Sequence, residues 1–197
     1  MTTDTQSRPV FRASLPQSGL VNYNRLFFVL NLAGGIGVLG SYAVGLHAHW
    51  GQNALLWGGV PESVRGAYSS CMLPAALGYL VCFAYLLNSD WKALNFSDGP
   101  AGRSLLRLHL LFLATAAAWM PLTWLAIDHQ MTALYWPIQG VLLVTGLSAL
   151  AIWRSLFRLV DPPRPRLLRA AKIGFAFLVF QCLVLDALVW PRFFVVG

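Results

Sequence analysis

The stretch "AKIGFAFLVFQCLVLDALVW", residues 171–190, decides the fold because it is almost wholly apolar. Its charged side chains are Lys172 at the start and Asp186 near the end. A membrane-spanning helix needs about 20 predominantly apolar residues. We therefore predict that residues 171–190 cross a bilayer as a helix and that Asp186 lies within it.

The rest of the chain has the same character. Of its 197 residues, 57% are hydrophobic and 11% are charged, whereas roughly a quarter of the residues of a soluble domain are charged. We predict an all-α integral membrane protein, a bundle of five transmembrane helices at about 26–46, 67–88, 105–127, 132–153 and 171–190. Residues 25–197 form a single membrane domain in this interpretation. The polar residues 1–24 precede it as a soluble arm and lack the apolar core of a signal peptide.

The basic residues predict the orientation of the bundle. With the N-terminus inside, five spans place Arg65 and Arg192 outside and the other twelve of the 14 basic residues inside: Arg8, Arg12, Arg25, Lys92, Arg103, Arg107, Arg154, Arg158, Arg164, Arg166, Arg169 and Lys172. Short inner loops of membrane proteins are enriched in Lys and Arg, so we predict the N-terminus inside and the C-terminus outside. The basic patch at 161–172 suits anionic lipid headgroups, at about 1 kcal/mol per basic residue. No polar domain is left to bind nucleic acid.

Small residues and prolines indicate how the helices pack. Ala33, Gly37, Ser41 and Gly45 give the first helix a nearly flat face, which favours close packing within the bundle over a homodimer seam. Pro74 and Pro121 are expected to bend the second and third helices. The segment 47–63 is long enough to fold over the outer mouth of the bundle, and the short link "DHQM" makes helices three and four a hairpin.

The titratable residues of the outer half do not form a recognisable metal motif. They are His47, His49, Glu62, Asp128, His129 and Asp186. Their types suit a metal, but the spacing of the ligands is not specific. His109 stands alone near the inner end of helix three, where a b-type haem needs two facing histidines. Cys71, Cys82 and Cys182 form no CxxC motif, so we assign no metal and no required cofactor.

Asp186 and the outer tryptophans are the candidate ligand site. Asp186 lies four residues, roughly 6 Å, before Trp190, and helical side chains lean toward the N-terminus, which here means deeper into the membrane. An ionisable residue in a bilayer usually faces the bundle interior and marks a functional site. The expected ligand-binding residues are Trp119, Trp124, Trp136, Asp186 and Trp190. A structural hydrogen bond from Asp186 to a Ser, Thr, Tyr or His of another helix is the competing interpretation.

Three motifs in the second half of the chain match a known family in order. They are "AWMPLTW" at the end of helix three, "HQMTAL" in the following turn and "LDALVW" at the end of helix five. Over about residues 112–190 the chain resembles the translocator protein family, also called tryptophan-rich sensory proteins. The resemblance implies a five-helix bundle with a pocket for tetrapyrroles such as porphyrins, for sterols or for similar flat apolar ligands. It carries over Trp119 and Asp186, and Asp186 stands where the family has asparagine.

These observations lead to three functional hypotheses. The first is a membrane protein that binds an apolar or tetrapyrrole-like small molecule in an outer-facing, tryptophan-rich pocket, for transport or sensing. The second is a structural or assembly subunit of a larger membrane complex. The third is a membrane-embedded lipid or sterol isomerase that uses Asp186 and an outer histidine as acid and base. Membrane lipid is an expected partner in all three, and a homodimer remains open.

Overall fold

A computed structural model describes residues 22–91, 93–97 and 99–194. Its five long helices are each long and apolar enough to cross a membrane. They are α1 (Tyr23–Ala48), α2 (Glu62–Leu87), α3 (Gly102–Asp128), α4 (Tyr135–Phe157) and α5 (Pro165–Val179), the last of which continues to Arg192 in other helical forms. The coarse prediction of five apolar helices in an all-α bundle is confirmed. Residues 1–21 of the predicted polar arm lie outside the described residues.

The helix ends differ from the predicted spans because a helix continues beyond its apolar part. α2 begins at Glu62 instead of residue 67, and α5 begins at Pro165 instead of residue 171. Proline suits the first turn of a helix, whose N–H groups have no intrahelical partner, so Pro165 starts α5 within the basic patch. Pro74 and Pro121 lie inside α2 and α3; each withholds a backbone donor from its helix.

The helices pack in the order α1, α3, α4, α5, α2. α1 packs mainly on α3, α3 also packs on α4, and α2 packs on α5, whereas α1 and α2 make little contact with each other. Their contacts lie toward the start of α1, where Asn24 donates hydrogen bonds to the carbonyls of Leu87 and Ser89, and Phe27 packs on Phe83. Further along, α1 and α2 are therefore free to enclose a space between them.

Two glycines make the closest helix crossing. A Cβ added at Gly78 of α2 would lie 2.0 Å from the carbonyl oxygen of Gly174 in α5, so the two backbones touch. α1 also approaches α3 closely, because a Cβ at Gly45 would lie 2.9 Å from side-chain atoms of Met120 and Trp124. Small residues allow such approach between helices in membranes. The close packing predicted for α1 is present at Gly45, while the Gly78–Gly174 crossing was not predicted.

A small folded cap covers the end of the bundle where α2 ends and α3 begins, which we call the basic end. A two-residue β-hairpin pairs β1 (Asn95–Phe96) with β2 (Gly99–Pro100). The Ser97 amide donates to the Arg158 carbonyl at 3.0 Å, and the Val160 amide donates to the Asn95 carbonyl at 3.1 Å. These bonds join the α2–α3 connection to the α4–α5 connection. The opposite end, where α1 ends and α2 begins, is the cavity end.

The fifth helix changes form in its last third. Residues Phe180–Val189 are a π-helix, and Trp190–Arg192 follow as a 3₁₀ turn. The backbone bonds of a π-helix run to the fifth residue instead of the fourth, and such segments are rare and frequent at functional sites. The distance of roughly 6 Å predicted between Asp186 and Trp190 assumed the rise of an α-helix throughout. The π segment alters which side chains share a face.

Candidate functional site

A cavity of about 260 Å³ lies at the cavity end of the bundle, between α1 and α2 and against the π segment. Aromatic, apolar and a few polar side chains line it: Tyr42, Leu46, Asn53, Leu56, Trp57, Tyr68, Ser69, Met72, Trp119, Met120, Asp186 and Trp190. Small-molecule sites are concave, mostly apolar and supplied with a few polar groups. This lining has that composition, and Asp186 is its one charged residue.

The aromatic lining forms two groups of rings in contact. Trp119 packs against Tyr42 at 5.5 Å between centroids and against Trp190 at 6.0 Å, the latter edge to face. Trp57 meets Tyr68 edge to face at 5.9 Å. Tilted and edge-to-face pairs are the favoured arrangements of aromatic rings. The rings therefore hold one another in place and give the cavity preformed walls.

The π segment positions Asp186 through a neighbour five residues away. The Gln181 side-chain amide donates to Asp186 Oδ1 at 2.8 Å. Hydrogen bonding to the fifth residue is the spacing of a π-helix, so the unusual backbone places these two side chains on one face. The partner is thus on the same helix and not, as the competing interpretation expected, a Ser, Thr, Tyr or His of another helix.

Asp186 has no cationic partner within the described part of the chain. No basic side chain pairs with it there, and its second oxygen accepts no hydrogen bond from those residues. The indole N–H of Trp119, another lining residue, is buried and has no hydrogen-bond partner among the described residues. Buried polar groups without partners cost free energy. Of these two groups, the Asp186 carboxylate belongs to a lining residue and can meet an occupant, whereas the Trp119 N–H is shielded by burial.

The connection between α1 and α2 closes one side of the cavity. A 3₁₀ turn, Asn53–Trp57, supplies three of the lining residues. Hydrogen bonds join this connection to the end of the fifth helix. The Trp190 indole donates to the Leu56 carbonyl at 2.8 Å, and the Gly59 amide donates to the Phe193 carbonyl at 2.7 Å. This agrees with the expectation that segment 47–63 folds over an end of the bundle.

The structure brings together three of the five predicted ligand-binding residues. Trp119, Asp186 and Trp190 line the cavity. Trp136 points outward and is 74% exposed, and Trp124 is buried beside the cavity end against His49. Neither of those two tryptophans is among the lining residues.

Sequence reasoning missed three aromatic residues of the cavity. Tyr42 and Tyr68 were not selected because no local pattern shows which face of an apolar helix turns inward. Trp57 had a usable signal, since it lies in the segment expected to cover the bundle. Its role depends on the 3₁₀ turn, which turns its ring toward Tyr68.

His49 lies in a cluster of its own at the end of α1. Its Nδ1 lies 2.8 Å from the Gly45 carbonyl, its Nε2 lies 3.0 Å from Asp128 Oδ2, and its ring stacks on Trp124 at 3.7 Å. Both ring nitrogens thus face acceptors, which the doubly protonated imidazolium satisfies. The Gly45 carbonyl, and after it Asp128, raises the pKa of His49 above its ordinary value. His49 pairs with Asp128 and not with Asp186.

The remaining titratable groups do not assemble into a metal site. Within residues 22–91, 93–97 and 99–194, no three His, Cys, Asp or Glu side chains lie close enough to hold a metal ion. His109 is buried, with its Nδ1 2.8 Å from the Leu105 carbonyl and its ring edge to face with Phe27 at 5.0 Å. These contacts give His109 a packing role. Cys71, Cys82 and Cys182 are free thiols.

No family model, curated protein or solved structure matches this chain. The resemblance to the translocator protein family stays a prediction.

Proposed function

We propose that this protein is a multi-pass integral membrane protein that binds a compact, mostly apolar small molecule with a polar head in the cavity between α1 and α2. The observation that carries the proposal is Asp186, a carboxylate without a cationic partner among the described residues, in a cavity walled by aromatic rings. Ionisable residues within membrane spans usually mark a substrate or ligand site.

The separation of α1 and α2 provides a route to the cavity. Their ring contacts and side-chain hydrogen bonds lie in the half of the bundle nearer the basic end, for example the contact of Phe27 with Phe83 and the hydrogen bond from Tyr79 to Asn31. At the cavity end, Tyr42 of α1 and Met72 of α2 both line the cavity. A ligand dissolved in the hydrocarbon can therefore enter sideways between the two helices, without first crossing the segment that covers the end.

The size and charge of the cavity narrow the choice of ligand. Ligand pockets commonly measure about 300–1,000 Å³, so a cavity of about 260 Å³ falls just below this range. This volume favours a compact molecule over the tetrapyrrole or sterol that the family resemblance suggested. Porphyrins that carry carboxylates would also meet Asp186 without a basic residue in the lining to compensate.

The basic residues support an orientation with the N-terminus inside. The basic end carries Arg103, Arg107, Arg154 and Arg158 at or near helix ends, whereas Arg65 and Arg192 flank the cavity end. Because positive charge is enriched on the inner side, we place the cavity in the outer half of the membrane. The orientation of the chain is a proposal on this ground.

A structural or assembly subunit is the second candidate, and α1 is the observation that favours it. Only 11% of the apolar 18-residue stretch of α1 is buried, which is the smallest share among the five helices. An apolar helix face open to lipid is equally available to a partner helix. No observation favours the isomerase hypothesis, because none of the lining residues is a histidine and His49 contacts Asp128 and Trp124.

A quenching titration tests the proposed function. The protein in lipid nanodiscs is titrated with a bromophenylpropyl alcohol, whose bromine quenches nearby indoles. Molecules that merely partition into lipid give a quenching that rises without saturation, whereas a cavity gives a saturable component. We expect Asp186→Ala to weaken that component and Asp128→Ala, the matched control, to leave it unchanged. Unsaturable quenching that is equal in wild type and both variants would refute the proposal.

A further inference from the structure

We propose that the head group of the ligand is a protonated amine, so that the cavity selects a compact organic ammonium on an apolar body. This inference rests on the proposed function, because it names the ligand class of the same cavity. Its basis is the charge of the lining. Asp186 contributes a carboxylate, and none of the other lining residues is basic.

A protonated amine supplies the positive charge and the second hydrogen-bond donor that Asp186 lacks among the described residues. Its Oδ1 accepts from the Gln181 amide, whereas Oδ2 accepts no hydrogen bond from residues 22–91, 93–97 and 99–194. A buried carboxylate is costly unless it is both paired and hydrogen-bonded, and a protonated amine provides the charge and the N–H together. Charge-assisted hydrogen bonds of this kind are about twice as strong as neutral ones. The Gln181 contact remains intact, so the π segment keeps the carboxylate in place.

The aromatic walls suit the same chemistry. Rings that present their faces to a cation attract it electrostatically, and clusters of Trp and Tyr are the usual recognition site for substituted ammonium groups. Trp119 is in contact with both Tyr42 and Trp190, so three rings form one wall of the cavity. An anionic ligand would gain nothing from these faces and would be repelled by Asp186. The apolar body of the ligand would pack on Leu46, Leu56 and Met72.

A matched pair of probes tests the inference on the wild-type protein. The first probe is a bromophenylpropyl dimethylamine, and the second is its uncharged analogue in which carbon replaces nitrogen. Saturable tryptophan quenching is measured in zwitterionic nanodiscs, with amounts corrected for partitioning into empty discs. We expect the amine to bind more tightly than its analogue by about tenfold or more, which corresponds to about 1.4 kcal/mol. This comparison needs no variant, so it is independent of any folding defect.

Two isosteric variants then test whether Asp186 causes the preference for the amine over its uncharged analogue. Asp186→Asn keeps the shape and an oxygen for the Gln181 amide, and we expect it to abolish the preference for the amine. Asp128→Asn removes a carboxylate that is not in the lining, and we expect it to keep the preference. Equal binding of both probes to the wild type would overturn the inference and leave the proposed function standing. A preference that survives in Asp186→Asn would also overturn it, whereas no saturable binding of either probe would refute both.

Discussion

Gly78→Ala should destabilise the bundle at the crossing of α2 and α5. The new methyl carbon would lie 2.0 Å from the Gly174 carbonyl oxygen and 2.2 Å from its carbon. Close C···O contacts in proteins measure about 3.3 Å, so the helices must separate by about 1 Å. Both obstructing atoms belong to backbone and cannot rotate away. The cost should therefore reach the upper end of the range for overpacking, about 3 kcal/mol.

Part of that cost is offset by helix propensity, since alanine is better than glycine inside a helix by about 1 kcal/mol. The expected net loss in the free energy of unfolding is therefore about 2 kcal/mol. Gly66→Ala is the matched control, because Gly66 is in the same helix and an added Cβ meets nothing within 4 Å. We expect it to be neutral or slightly stabilising. Unfolding by denaturing detergent, followed by circular dichroism, measures both, and equal stability of the two variants would refute the packing described for α2 and α5.

Three further predictions concern the cavity end and the orientation. The contacts of protonated His49 with the Gly45 carbonyl and Asp128 should stabilise the fold fully below the ordinary pKa of 6.5, and this stabilisation should be lost as the pH rises through the raised pKa of the folded state. The free energy of unfolding, measured over a series of pH values, should show this loss in wild type and a smaller loss in Asp128→Asn. Trp190→Phe should cost about 1 kcal/mol because it removes the hydrogen bond to the part-buried Leu56 carbonyl. Trp136→Phe, at an exposed ring, should fall within about 0.5 kcal/mol of wild type in the same unfolding assay. A tag at the N-terminus should resist protease added outside intact cells, and cleavage there would contradict the proposed orientation.

The number and approximate positions of the helices could be predicted because hydropathy reports directly on length and polarity. Their ends could not, since Pro165 starts a helix by satisfying backbone geometry in a segment that looks like a basic loop. The crossing of α2 and α5 at Gly78 and Gly174 could not be predicted either. It depends on two residues far apart in the sequence meeting, and apolar helices give no polar face to show which side turns inward.

The candidate site could be predicted at Asp186 because a carboxylate within an apolar span usually faces the interior of the bundle. The hydrogen-bond partner of Asp186 could not be predicted, because the composition of residues 180–189 does not indicate a π-helix. The spacing of the π-helix brings Gln181 close to Asp186. Trp136 and Trp119 were both expected to bind the ligand, yet one is exposed and the other lines the cavity. The direction of each ring follows from the packing of α3 and α4, which is a property of the whole bundle.

We claim that the ligand binds in the cavity beside Asp186, and the indole N–H signals of the tryptophans report binding there. The chain has eight tryptophans, and a ¹H–¹⁵N spectrum in nanodiscs, assigned by single Trp→Phe variants, follows each one during titration with the bromophenylpropyl dimethylamine. We predict saturable shifts for Trp57, Trp119 and Trp190, with no shift for the exposed Trp136. Shifts of equal size at Trp136 and Trp119, or none at Trp119, would contradict the claim.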